Sequence, residues 1–112
     1  MHIDIEDLED VTVVTVHEPR LDALVAAELR NRLMDLVGQG RTRLALDVSR
    51  VGFIDSSGLG VLVALLRRLG KPQALALWGP TPAVDRTLRL ARMDRILTLV
   101  PDRDAALCAL RE

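Results

Sequence analysis

Aromatic residues are almost absent from this 112-residue chain: one Phe, one Trp and no Tyr. A base-stacking surface for single-stranded nucleic acid needs several aromatic faces, so that function is excluded. Charge of one sign is also missing. Fifteen basic residues stand against sixteen acidic ones, a net charge of -1. No basic field is available for nucleic acid or for an anionic membrane. Cysteine is down to a single residue, Cys108, which excludes an intrachain disulfide and a cysteine metal cluster. On its terminal helix Cys108 reads as a small buried hydrophobe. The longest apolar run, Val61-Leu62-Val63-Ala64-Leu65-Leu66, falls far short of a membrane span. The opening MHIDIEDLED is acidic and lacks the basic and apolar regions of a signal peptide. These absences together predict a cytoplasmic protein without membrane insertion.

Hydrophobic residues make up 49% of the chain, mostly Leu, Val, Ile and Ala. A chain of this length is one domain, 1–112, and folding hides roughly 65% of its unfolded surface. Val11-Thr12-Val13-Val14-Thr15-Val16 is β-branched throughout and reads as a strand. The Glu9-Asp10 pair before it suits a turn back to a first strand over 2–8, and Pro19 ends the strand region.

From Asp22 to Val37 the period becomes helical. Leu24, Ala27, Leu29, Leu33, Leu36 and Val37 form the apolar face, Asp22 is the N-cap, and Gly38 and Gly40 are stop signals. Arg43–Val48 is a buried strand that Phe53-Ile54 extends or follows. Ser56–Leu69 is a helix apolar on many sides, closed by Gly70. Gln73–Trp78 is a strand, and Ala83–Met93 is an amphipathic helix with Val84, Leu88 and Ala91 inward. Ile96–Val100 is a strand and Arg103–Arg111 a last helix. The order ββαβαβαβα implies an α/β fold: a mixed, largely parallel sheet of about five strands with crossover helices.

Catalytic motifs are missing from the chain. No Gly-x-Ser-x-Gly elbow is present, and the two histidines, His2 and His17, fall at a terminus and a strand end, both at the surface. Gly58-Leu59-Gly60 begins a dinucleotide fingerprint, but Val63 takes the third glycine's place, and no Walker A lysine pair exists. No metal or cofactor site follows from the spacing, and the chain reads as a non-enzyme.

That leaves Gly52-Phe53-Ile54-Asp55-Ser56-Ser57-Gly58-Leu59-Gly60, an acid and two hydroxyls between apolar segments. Asp55 or Ser56 caps the following helix. A hydroxyl at a helix N-terminus is accessible, and a phosphate there meets free N–H groups and the positive end of the dipole. Gly58 and Gly60 either admit a partner's backbone or pack the helix start against the sheet.

The run from Leu46 to Leu62, LDVSRVGFIDSSGLGVL, resembles the core signature of the STAS domain, and more narrowly of the bacterial anti-sigma-factor antagonists. Leu21-Asp22-Ala23 and Pro82-Ala83-Val84 match further segments of that family, so the resemblance covers most of the chain. It implies the STAS fold. It implies that an anti-sigma factor doubling as a serine kinase binds the unphosphorylated protein, releases sigma factor, and then inactivates its antagonist by phosphorylating Ser56. Ser57 is the reserve acceptor. Asp22, Asp55, Ser56, Ser57, Gly58 and Leu59 would form the partner-binding surface, and a PP2C-type phosphatase would remove the phosphate. One departure stands out: Pro19-Arg20 replaces the Gly-Glu common in the family before the Leu-Asp pair. It motivates an alternative, a non-phosphorylated STAS interaction module in a stress-signalling scaffold or a lipid-transport complex.

Overall fold

A computed structural model describes residues 1–112. The central sheet has five strands: β1 (Ile3–Asp7), β2 (Thr12–Val16), β4 (Leu44–Asp47), β6 (Leu75–Trp78) and β7 (Thr98–Val100), side by side in that order. β1 pairs antiparallel with β2, and the other three pairings are parallel. Two more strands, β3 (Arg20–Leu21) and β5 (Phe53–Ile54), form a separate parallel ladder. The helices are α1 (Ala23–Gly38), α2 (Ser56–Leu69), α3 (Pro82–Leu90) and α4 (Arg103–Arg111). The mixed α/β architecture agrees with the sequence expectation.

The sheet separates two cores. On one face Leu29 and Leu33 of α1, Val61 and Leu65 of α2, and Val84 and Leu88 of α3 pack on Val14, Val16, Leu46 and Leu77. On the other, Ala106 and Leu110 of α4 pack on Val11, Val13, Ala45, Ala76 and Trp78. The alanines of β4 and β6 lie on the α4 side, and small residues there let a helix approach closely. Because both faces are covered, β4 and β6 are apolar at successive positions rather than alternately. Each fully buried Leu stabilises the fold by about 1.5–3 kcal/mol relative to exposure.

Several boundaries differ from the sequence reading. Leu24 is 77% exposed, because α1 buries its 26-29-33-36 stripe and turns Leu24 and Ala27 outward. α3 stops at Leu90, since Arg92 adopts left-handed backbone angles and starts a 3₁₀ turn over Met93–Arg95. Met93 therefore enters the core in place of Ala91, which is exposed. The last strand begins at Thr98 rather than Ile96. Cys108 is exposed, because α4 buries the face of Ala106 and Leu110. Phe53-Ile54 pairs with Arg20-Leu21, a ladder that the sequence reading did not foresee.

At the hairpin's tip, Arg41 donates to both oxygens of Asp7, at 2.9 and 2.6 Å, and the Thr12 hydroxyl donates to Asp7 Oδ1 at 2.9 Å. Hydrogen bonds from Arg41 first, then Thr12, lower the Asp7 pKa from 3.8 to about 2. A carboxyl depressed in the folded state stabilises the fold above its unfolded pKa and loses that contribution as pH falls. The stability from Asp7 is therefore complete above about 4 and is lost as pH falls toward about 2. Asp7→Asn is expected to be less stable at neutral pH and to show a shallower acid decline, read by urea unfolding at a series of pH values. Parallel acid limbs for the two proteins would contradict this.

Candidate functional site

The short β3–β5 ladder brings two helix starts together. Arg20 stands opposite Phe53 and Leu21 opposite Ile54, so the next residues, Asp22 and Asp55, are the N-caps of α1 and α2. The Gly52 N–H donates to the Pro19 carbonyl at 2.8 Å, and the Asp55 N–H reaches the Leu21 carbonyl at 3.4 Å.

The Asp22 cap is the one its sequence predicted, and of the two candidates for α2 the structure selects Asp55. Asp55 Oδ1 accepts from Ser57 N–H at 2.8 Å and from Gly58 N–H at 3.2 Å, and the Asp55 carbonyl accepts from Leu59 N–H at 3.0 Å. Asp22 Oδ1 accepts from Val25 N–H at 3.3 Å. Asp55, rather than Ser56, is thus the cap. Ser56 is the first residue of α2 and is exposed, while Ser57 is half-buried. At the other end Gly70, with a φ of 84°, closes α2 in the left-handed conformation that favours glycine.

The two glycines of the motif serve different ends. Gly58 is buried, and a Cβ there would lie 2.6 Å from Ile54 Cγ1 and 2.8 Å from the Leu21 carbonyl. The close approach it permits is to this chain's own β3–β5 ladder, not to a partner backbone, which corrects its expected place on the contact surface. A Cβ on Gly60 would meet nothing within 4 Å. Leu59 is half-buried and packs against the core, so only part of it faces outward.

Two contributors were missed. The Arg20 guanidinium lies 4.1 Å from the centroid of the partly exposed Phe53 ring, a cation–π stack beside the start of α2. Its Nε also stands 4.0 Å from Asp22 Oδ2. Exposed Leu24, in the first turn of α1, adds apolar surface. The unusual Pro19-Arg20 pair was the sequence signal. What it lacked was the register that sets Arg20 over Phe53.

A model of the STAS domain matches residues 2–106. The chain belongs to the STAS domain family. Among STAS relatives, it is 25% identical over 109 residues to the anti-sigma-F factor antagonist RsfB of Mycobacterium tuberculosis, covering 97% of this chain and 88% of the relative. It superposes with a TM-score of 0.90 on the crystal structure of an anti-sigma factor antagonist from Mycobacterium paratuberculosis. That pair is 32% identical over 99% of this chain and 94% of the other. SpoIIAA in its unphosphorylated form shares the STAS fold, with a TM-score of 0.81, 20% identity, and coverage of 98% and 96%.

The geometry predicts opposite effects for two similar substitutions. Gly58→Ala should destabilise the protein by about 1–3 kcal/mol through overpacking against backbone. Gly60→Ala should stabilise it by up to about 1 kcal/mol through helix propensity alone. Denaturant titration of both variants checks the difference in sign. Asp55→Ala should cost about 0.5–2 kcal/mol by the same measurement, as the loss of an N-cap does.

Proposed function

We propose that this chain is a cytoplasmic anti-sigma-factor antagonist, the substrate rather than the catalyst of a serine kinase, with Ser56 as the phosphate acceptor. The observation that carries this reading is an exposed hydroxyl on the first residue of a helix locked by Asp55 and Gly58, in a chain of the STAS domain family. The similarity to anti-sigma factor antagonists along nearly the whole chain supports it.

In this mechanism the unphosphorylated protein docks on an anti-sigma factor through the exposed start of α2 and its flank. Ser56, the outward part of Leu59, Phe53 and Leu24 offer contact surface, and Asp22 and Asp55 hold the helix starts. The anti-sigma factor, acting as kinase, then transfers the γ-phosphoryl group of ATP to the Ser56 oxygen. An O–P bond forms at Ser56, the bond to ADP breaks, and the hydroxyl proton leaves to a base of the kinase. Nothing in the acceptor needs to supply that base or a metal ion.

The added phosphate brings about -1.5 to -2 charges. The N–H groups and dipole of α2 tolerate that charge, so the fold persists. A partner surface packed against Ser56 does not, because a charge buried there loses its hydration. A PP2C-type phosphatase hydrolysing phosphoserine would reset the cycle. The fold itself is known in a phosphorylated form in SpoIIAA of Bacillus. The alternative is a STAS interaction module that is not phosphorylated, in a signalling scaffold or lipid-transport complex. The Arg20–Phe53 stack beside the acceptor favours it, because it gives the docking surface a cation where the family commonly carries an acid.

Phosphopeptide mass spectrometry after incubation with ATP and each anti-sigma kinase of the same genome tests the proposal. Phosphate is expected on Ser56 in the native protein and on no residue of Ser56→Ala. Ser56→Asp should keep its circular-dichroism spectrum and bind the kinase roughly tenfold or more weakly, about 1.4 kcal/mol per factor of ten. Absence of phosphate with every kinase would favour the interaction-module reading.

A further inference from the structure

Away from the switch helix, the register of the N-terminal hairpin assembles a group of metal-ligating side chains. His2 and His17 face each other across the hairpin. The His17 N–H donates to the His2 carbonyl at 3.0 Å, one step beyond the Ile3–Val16 pair. Asp4 follows His2 by two residues and so projects from the same side of β1. Glu6, two residues further, is held by Arg103 of α4 at 2.9 Å, which identifies this as the α4 side of the sheet. β1 is an edge strand. Its His2 and Asp4 side chains are 65% and 67% exposed.

The distances suit a single ion. The imidazole rings stack with centroids 4.3 Å apart. His17 Nε2 lies 2.6 Å from Asp4 Oδ2, and His2 Nε2 lies 3.4 Å from Asp4 Oδ1. One ligand atom from each residue can be chosen with all three within 4.8 Å of one another. Ligand atoms about 2.0–2.2 Å from a tetrahedral zinc are roughly 3.3–3.6 Å apart. The His2–Asp4 spacing of 3.4 Å already matches, and the hydrogen-bonded His17–Asp4 pair opens from 2.6 Å by a small side-chain rotation to admit the ion. The site is also anchored. The Met1 side chain packs on the core, and the His2 N–H donates to Glu18 at 2.9 Å.

We propose that His2, Asp4 and His17 bind one divalent transition cation, with zinc the best fit, and that Arg50 competes with it. Two imidazoles and a carboxylate are borderline ligands that suit zinc and discriminate against magnesium. Solvent water completes the coordination. The competition follows from the ring protons. Arg50 Nη1 contacts His17 Nδ1 as a donor, which requires the ring proton on Nε2, directed at Asp4. A metal can bind Nε2 only after the proton there has left, and the neutral ring then carries its proton on Nδ1, where it meets the Arg50 guanidinium. Arg50 is an exposed side chain of the loop after β4 and must swing away. Arg50 is a donor and cannot accept from Nδ1–H, so it offers the metal-bound tautomer none of the outer hydrogen bonding that strengthens most histidine ligands.

Calorimetric titration of tag-free protein with zinc chloride, and separately with magnesium chloride, tests the site. A saturable one-to-one isotherm is expected with zinc and none with magnesium. His2→Ala and Asp4→Asn, both exposed positions, should abolish or strongly weaken zinc binding with unchanged circular-dichroism spectra. Cys108→Ser should bind as the native protein does. Arg50→Ala should bind up to about tenfold more tightly, the lower end of what outer hydrogen bonds do to metal affinity. No zinc isotherm in the native protein would overturn the proposal. So would unaltered binding by His2→Ala and Asp4→Asn, or loss of binding in Cys108→Ser. Unchanged or weaker affinity in Arg50→Ala would overturn the competition.

Discussion

The first turn of α2 lies flat on the β3–β5 ladder because Gly58 has no side chain. Its Cα sits where any Cβ would press on the Leu21 carbonyl and on Ile54. Much else in the molecule depends on that contact. It sets the depth of α2 on the sheet, which in turn places Val61, Leu62 and Leu65 in the larger core. It also places Ser56, two residues before the contact, at the surface on a rigid support. A looser helix start would leave the same hydroxyl on a mobile end, where a charge added to it could relax away.

The division of labour within Asp55-Ser56-Ser57-Gly58 follows from helix geometry. Asp55 satisfies two of the N–H groups that a helix start leaves open, so the fold does not draw on Ser56 for its cap. The serine is then available for chemistry with little consequence for stability. A capping serine at that position would tie modification to partial unfolding. Under the proposed phosphorylation, separating the cap from the acceptor would let a charge act on binding while the structure stays as it is. The same logic applies to α1, where Asp22 caps the helix and leaves Leu24 free at the surface.

The hairpin illustrates a different economy. Its antiparallel register aligns His2 with His17 and Asp4 on one side of the sheet, while Ile3, Val14 and Val16 on the opposite side enter the larger core. A slip of one residue would exchange the two sets. The buried face therefore specifies the arrangement of the exposed one. Charges at this end of the sheet are organised by what the core demands of their neighbours.

The sequence by itself determined the elements with strong local signals. The β-branched run of β2, the long span of α2 with its Gly70 stop, and the last helix were legible because propensity and periodicity agree there. So were the Asp22 cap and the accessible hydroxyl at the start of α2, since capping is decided within a few residues of chain, although the choice of Asp55 over Ser56 as the cap needed the structure. What only the tertiary structure decided depends on partners distant in sequence. A two-residue strand has too few residues to show a period, so β3 and β5 exist only as a pair. The side of α1 that carries Leu24 could not be told from composition, because a helix with many apolar residues offers more than one apolar stripe. Whether Gly58 serves packing or access rested on Leu21, which lies 37 positions away. Arg20 over Phe53, and His2 beside His17, are likewise products of register, which local sequence constrains and the packed core completes.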